Sequence, residues 1–271
     1  MSATPAGDDD GLLARYDLRM RREAAPDEPG ARVERAGRVV RQVNGDSGGG
    51  VVLWSDLASA ADADAAIAEQ LAYFGALGRS FEWKLYAHDR PADLGERLTA
   101  AGFEAQEPET LMVAEIAALD RRPVWPAGTT VRRVTDADGV RAVIEVHGAV
   151  FGGDQEPLRR RLLAQLARDP ERVRVLLVLA GERPVCAARL ELTPGTGFAS
   201  LWGGGTLPEW RGKGVYRALV AHRAALAAEA GYHYLQVDAS DQSRPVLERL
   251  GFTALTATTP YIHTHSAASP A

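Results

Sequence analysis

The sequence predicts an α/β protein organised as two tandem halves, and three observations carry that prediction. β-branched extended segments alternate with apolar-periodic helical ones. A strand–helix–Gly-Phe unit occurs twice, with Phe103 and Phe252 149 residues apart. That spacing is a domain length, not the period of a short solenoid. The stretch Arg211-Gly212-Lys213-Gly214-Val215-Tyr216 stands where an extended segment gives way to a helix.

The first half reads as extended over 31–43 and 50–55, with a glycine-rich turn at 45–50. An alanine-rich helix follows at 62–77, a strand at 83–89, and a helix at 91–101 with Pro91 in its first turn. Gly102-Phe103 closes that helix, and 110–116 is a last strand. Glu96-Arg97-Leu98 is matched in the second half by Glu248-Arg249-Leu250, which favours duplication over two unrelated units. Asp120-Arg121-Arg122-Pro123-Val124-Trp125-Pro126 is charged and proline-bearing, as a linker is. The expected division is therefore 1–119, a linker at 120–128, and 129–271.

In the second half, 130–134 is a short strand, and Asp136 or Asp138 caps a helix reaching about His147. Gly152-Gly153-Asp154 breaks the chain, and Pro157 opens a helix with Leu158, Leu162 and Leu166 on one face. A hairpin over 173–192 leads into an extended segment at 198–207. The helix from Val215 carries Val215, Leu219 and Leu226 inward, and Gly231 ends it. A strand at 232–239, a helix at 245–250 and a strand at 252–264 complete the chain.

Composition narrows the function classes. The 271 residues suit one large domain or two ordinary ones, and 46% hydrophobic with 25% charged residues is ordinary for a globular protein. A net charge of −5 gives no overall attraction for nucleic acid or an anionic membrane. The lone cysteine, Cys186, excludes an internal disulfide and points to a reducing compartment. Residues 1–11 are acidic without an apolar core, unlike a signal peptide, and the apolar run at 173–180 contains Arg174 and is too short for a bilayer. A cytoplasmic protein is expected. The six histidines show no metal-ligand spacing, so no metal site is expected.

The 211–216 stretch is built to hold phosphate. Gly212 and Gly214 permit backbone conformations that a β-carbon hinders, so successive N–H groups can converge on an anion. The first amides of a helix add donors and a positive dipole end. Arg211 and Lys213 bring full charges, while Arg217, one step along, reaches either a phosphate or only solvent. A magnesium-dependent nucleotide loop is disfavoured: Gly-x-x-x-x-Gly-Lys-Ser/Thr is absent, and Val215 stands where the metal-binding hydroxyl would be. Trp202-Gly203-Gly204-Gly205 weakens a strand unless a backbone must approach a ligand or bulge there.

The element order, Thr206-Leu207-Pro208-Glu209-Trp210-Arg211-Gly212-Lys213-Gly214 and Leu247-Glu248-Arg249-Leu250-Gly251-Phe252 together resemble the GNAT family of N-acetyltransferases over 130–264. The whole chain resembles tandem GNAT proteins with a degenerate first half. The resemblance implies two domains, each a mixed, mostly antiparallel sheet flanked by helices. It implies acetyl-CoA as acyl donor, a small-molecule amine as acceptor, and direct acetyl transfer between them. Cofactor contacts then fall on Thr206, Leu207, Arg211, Gly212, Lys213, Gly214, Val215 and Tyr216, with pantetheine beside a splay between two strands. A homodimer remains an open alternative.

Acid–base residues are less visible. Where the family often has a tyrosine this chain has Leu247, and the strand at 198–207 has no carboxylate. Asp238 and Glu191 are the substitutes expected near the splay, although Asp238 also suits a turn with Ser240, and Glu191 a pair with Arg189. The missing tyrosine equally fits a non-catalytic acyl-CoA-binding module. His222, Tyr261, His263 and Cys186 read as structural, and Asp154 and Glu156 suit either an acceptor amine or helix capping. In the first half, the segment aligned with the loop has no glycine or cation and carries Asp62 and Asp64, which repel a diphosphate. That half is expected to bind no acetyl-CoA.

Overall fold

The computed structural model describes residues 7–45 and 48–265. Its contacts divide the chain into two compact units, 1–111 with 255–271 and 112–254.

In the first unit, α1 (Gly7–Tyr16) runs into a π-helical segment, Asp17–Arg22. Strands β1 (Arg32–Ala36), β2 (Val39–Val43), β3 (Gly50–Ser55) and β4 (Phe81–Tyr86) form a sheet in that order. β4 is joined on its other side by the last strand of the chain, β12 (Thr253–His263), with Thr258 opposite Tyr86 and His263 opposite Phe81. The β3–β4 pair is parallel, and α2 (Ala60–Ala76) makes the crossover between them. Ser59 caps α2 by accepting the Asp62 N–H at 3.2 Å.

α2 buries Ala63, Ala66, Ile67, Gln70 and Phe74, a helical spacing whose small residues let it lie close to the sheet. Phe74 stacks on Phe81 with ring centroids 4.3 Å apart. Gly50 leaves room for the Phe74 ring: a β-carbon there would lie 2.3 Å from it. After β4 come α3 (Leu94–Ala100) and the two-residue strand β5 (Glu104–Ala105), which pairs with β12. Arg21 is buried between Asp89 at 2.7 Å and Asp17 at 2.8 Å, with its guanidinium over the Tyr86 ring.

The second unit holds the end of β6 (Glu109–Glu115), then β7 (Thr129–Val134), β8 (Val173–Ala180), β9 (Arg183–Leu192), β10 (Phe198–Thr206) and β11 (Tyr234–Ala239). Their order is β6-β11-β10-β9-β8-β7. β7 to β10 are successively antiparallel, and β10 and β11 are parallel. The near-continuous apolar run of β8 follows from burial on both faces. Val173, Val175 and Leu177 face α4 (Ala137–Phe151) and α5 (Glu156–Arg168), whereas Leu176 and Val178 face α6 (Val215–Glu229). A further core gathers α6, α7 (Arg244–Arg249), β11 and the segment from Met112 to Leu119.

The units differ from the expected division at 120–128. Residues 112–119 belong to the second unit because Met112, Ala114, Ile116 and Leu119 enter its core, and Ile116 N–H donates to His233 O. Residues 255–265 belong to the first unit because β12 pairs with β4. Local composition marks a linker but carries no record of which strand a segment pairs with. Elsewhere the elements are those expected, with ends shifted by up to four residues and the following differences. The helical 7–22 segment and β5 are additional, 31–43 is a hairpin turning at Gly37 with φ 57°, and the helix expected from Pro91 begins at Leu94. Part of the glycine-rich turn at 45–50 lies outside the described residues.

Asp136, not Asp138, caps α4, its carboxylate accepting the Gly139 N–H at 2.7 Å. Asp136→Ala should cost about 1 kcal/mol of stability in urea denaturation, and Asp136→Ser should recover most of it.

Candidate functional site

β10 and β11 are in register only from Phe198 to Ser200, opposite Tyr234 to Gln236, although β10 continues to Thr206 and β11 to Ala239. This is the splay that the resemblance to the GNAT family implies. On its other side β10 loses register with β9 between Trp202 and Gly205. The bulge there is glycine for a reason of space. A β-carbon on Gly203 would meet His147 at 2.5 Å, one on Gly204 would meet Tyr216 at 2.8 Å, and one on Gly205 would meet Phe151 at 2.8 Å. Gly203 also has φ +55°, a left-handed conformation that side chains resist. Two helices thus rest their side chains directly on main chain.

Beyond Thr206, a single 3₁₀ turn (Pro208–Trp210) leads to the loop. Gly212 has φ 73° and Gly214 φ 87°, both left-handed, so both glycines are conformationally required. The Ala218 N–H donates to Gly214 O, leaving the amides of Val215, Tyr216 and Arg217 ahead of the helical ladder. No side chain caps this helix start. Arg211 Nε donates to Thr206 O at 3.1 Å, and Lys213 Nζ lies 4.6 Å from the Trp210 ring centroid.

The loop forms one wall of a cavity of about 600 Å³. Val150, Phe151, Gly204, Thr206 and Tyr216 line it toward β10, and Ser240, Gln242, Ser243, Val246 and Arg249 form the wall beyond β11. Among the described residues four cations line it, Arg211, Lys213, Arg217 and Arg249, and no carboxylate does.

Of the predicted contact residues, Thr206 and 211–216 line this cavity. Leu207 does not: its side chain is in the core against α4 and α5, and its N–H donates to Val185 O. Neither Asp238 nor Glu191 lines the cavity. Glu191 is buried, with its carboxylate accepting from Arg161 at 3.1 Å and Arg189 at 2.9 Å. The anticipated Arg189 pair is real, but the second guanidinium comes from α5, thirty residues away. Leu247 is fully buried in the core. Tyr261 and His263 lie in the first unit, His263 against Phe81 and Phe103. His222 is half-buried against Trp125, and the inward polar residue of α6 is the next one, Arg223.

Three residues around the bulge were not singled out as site-forming. His147 is buried, and its Nε2 lies 3.0 Å from the Gly203 carbonyl, to which it donates. Burial and the nearby Arg189 charge lower its pKa to about 4, so the imidazole is neutral at pH 7. Arg223 is fully buried; Nη1 donates to Arg189 O at 3.2 Å, while Nη2 has no hydrogen-bond partner among the described residues. Phe151 is an exposed aromatic at the end of α4 that covers Gly205. Sequence signals exist for His147, at helical spacing from Val140 and Val143, and for Phe151 beside Gly152-Gly153, but neither spacing discloses the glycines beneath.

Burial also raises the Cys186 thiol, which is packed between strands and accepts from Thr206 Oγ1 at 3.2 Å. Among the described residues no group of three or more His, Cys, Asp or Glu side chains is placed to hold a metal, and no helix is long and apolar enough to cross a membrane.

Residues 140–252, from α4 through α7, match the model of the acetyltransferase (GNAT) family. This segment is a GNAT domain. The structure of a GCN5-related N-acetyltransferase from Kribbella flavida superposes with a TM-score of 0.69 at 19% identity, covering 97% of this chain and 98% of that one. A conserved Staphylococcus epidermidis protein of unknown function gives 0.67 at 13%, covering 90% and 97%. A tandem GNAT protein from the clavulanic acid biosynthesis pathway gives 0.58 at 14%, covering 99% and 91%. These likenesses establish the tandem GNAT fold. No curated protein matches the chain.

Within the GNAT domain, His147 makes stability depend on pH. Its folded pKa lies below the ordinary value, so its contribution is complete above about pH 6.5 and is lost as pH falls toward 4. The loss should approach about 3 kcal/mol by pH 4. Urea denaturation at pH 7 and pH 4.5, with His147→Gln as comparison, checks this: the variant should show a smaller acid loss.

Proposed function

We propose that the GNAT domain transfers the acetyl group of acetyl-CoA to the amine of a small molecule. The cavity carries the proposal: a wall of left-handed glycines and helix-start amides, four cations and no carboxylate suits a phosphorylated coenzyme. Coenzyme A esters supply an acyl thioester. In the transfer, the acceptor nitrogen bonds to the acyl carbon, the carbon–sulfur bond breaks, and the nitrogen gives up one proton while the departing sulfur takes one. The open end of the splay, beside Thr206, Tyr216 and Ser240, is where the chain leaves room for these atoms.

Tyr216 is the phenol on that wall. Burial raises its pKa, against the opposing charge of Arg223, so it stays protonated at neutral pH and is suited to donate. Leu247 has no proton to give, and Glu191 is held by two guanidiniums. Asp238, half-buried on β11, keeps its place as a proposed base only if the acceptor reaches it from outside the cavity wall.

The first unit is proposed as scaffold. Its α2 begins at extended Ser59 with φ −144°, has no left-handed glycine there, and carries Asp62 and Asp64 in its first turns, the latter paired with Arg97 at 2.8 Å. Such a start repels a diphosphate.

Calorimetry tests the reading. The full chain should bind one CoA per chain, and Gly214→Asp should abolish binding because a carboxylate enters the cradle and a side chain is forced to φ 87°. Unchanged affinity in that variant refutes the site. Amine-dependent release of free thiol from acetyl-CoA, measured against a panel of small amines, separates a transferase from a module that only binds.

A further inference from the structure

The cavity holds more positive charge than a diphosphate needs. Three of its four cations, Arg211, Lys213 and Arg217, belong to the loop and the first turn of α6. Arg217 folds back over the loop, since a β-carbon on Gly214 would lie 3.5 Å from its Nη2. A diphosphate diester carries about two negative charges, which these groups and the loop amides can meet on their own.

Arg249 comes from the other wall, on α7, beside Ser243 and Val246. It has no ion pair or hydrogen bond among the described residues, while its neighbours on the same helix, Arg244 and Glu248, pair with each other at 2.9 Å. Most arginines of this unit have a carboxylate; Arg133, Arg159, Arg174 and Arg183 all do. A cation left unpaired on a cavity wall that has no acid is placed for an anion from outside.

We propose that Arg249 makes the cavity selective for the 3′-phosphorylated coenzyme, by holding the adenosine phosphomonoester while the loop holds the diphosphate. A phosphomonoester brings about 1.5–2 further negative charges at pH 7, which matches the charge beyond the diphosphate's need. The inference rests on the reading that this cavity binds coenzyme A, and adds which phosphate Arg249 recognises.

Calorimetry of the full chain with CoA and with dephospho-CoA, in low salt, tests it. Wild type should prefer CoA by about tenfold or more. Arg249→Gln should bring the two ligands within about twofold by weakening CoA alone, and Arg249→Lys should keep part of the preference. Arg249 is exposed, so circular dichroism of Arg249→Gln should match wild type. Equal wild-type affinity for both ligands, or equal weakening of both by Arg249→Gln, overturns the inference and leaves coenzyme binding standing. If wild type binds neither ligand, the inference and the functional reading both fall.

Discussion

The site depends on three consecutive positions of β10 having no side chains. At Gly203, Gly204 and Gly205 the places of missing β-carbons are taken by His147, Tyr216 and Phe151. α4 and α6 therefore close on the strand from opposite faces at the point where it leaves β9's register and parts from β11. Three glycines in a row destabilise a strand through backbone entropy. Here that cost is offset by the His147–Gly203 hydrogen bond and by the packing of Tyr216 on the bare main chain of Gly204. A one-carbon change at Gly204 displaces the phenol that lines the cavity, so the bulge and the cavity floor are one structure.

Charge is distributed in the same spirit. Around the bulge, buried carboxylate is committed, since Glu191 accepts from both Arg161 and Arg189. Buried cation is not: Arg223 meets the carbonyls of Leu219 and Arg189 and the Tyr216 phenol rather than a carboxylate, and burial depresses its pKa. A guanidinium without a carboxylate is an expensive thing to bury. Carbonyl dipoles recover part of that cost, and the remaining positive field falls on Gly204 and Tyr216, at the inner end of a cavity whose other ionic groups are also all cations. The GNAT domain thus concentrates positive charge at this cavity within a chain whose net charge is −5.

What was legible in the sequence was whatever a short window encodes. Gly212 and Gly214, placed between a strand and an apolar-periodic helix, disclose the left-handed turns and the free helix start, and both are there. The three glycines of β10 announce an irregular strand, and the irregularity is there too. Contacts between distant segments were not legible. Arg161 reaches Glu191 across thirty residues, Tyr216 turns down onto Gly204 rather than out toward solvent, and Leu207 turns into the core. Strand partnership is the largest such case: β12 reads as the natural end of the second half, yet its hydrogen bonds run to β4 in the first unit. Alternation of side chains fixes which face a residue occupies, but not which strand lies alongside.

The proposed proton chemistry follows from what the cavity wall has and lacks. Its polar uncharged groups are Thr206, Tyr216, Ser240, Gln242 and Ser243, and its ionic groups are all positive. A wall of that kind would stabilise negative charge on the departing sulfur of the proposed transfer by fields and hydrogen bonds, and a thiolate, with a pKa near about 8.5–9, needs little more. It offers no stabilisation to a protonated amine. On the proposed reading an acceptor meets this wall best as the neutral amine, since its ammonium form is repelled by the same cations that are proposed to hold the phosphates. The position where the resemblance would place a tyrosine acid is filled by Leu247, whose side chain completes the core between α7, β11 and α6. On the proposed reading, proton donation falls instead to the Tyr216 phenol at the start of α6, which lines the cavity where Leu247 does not.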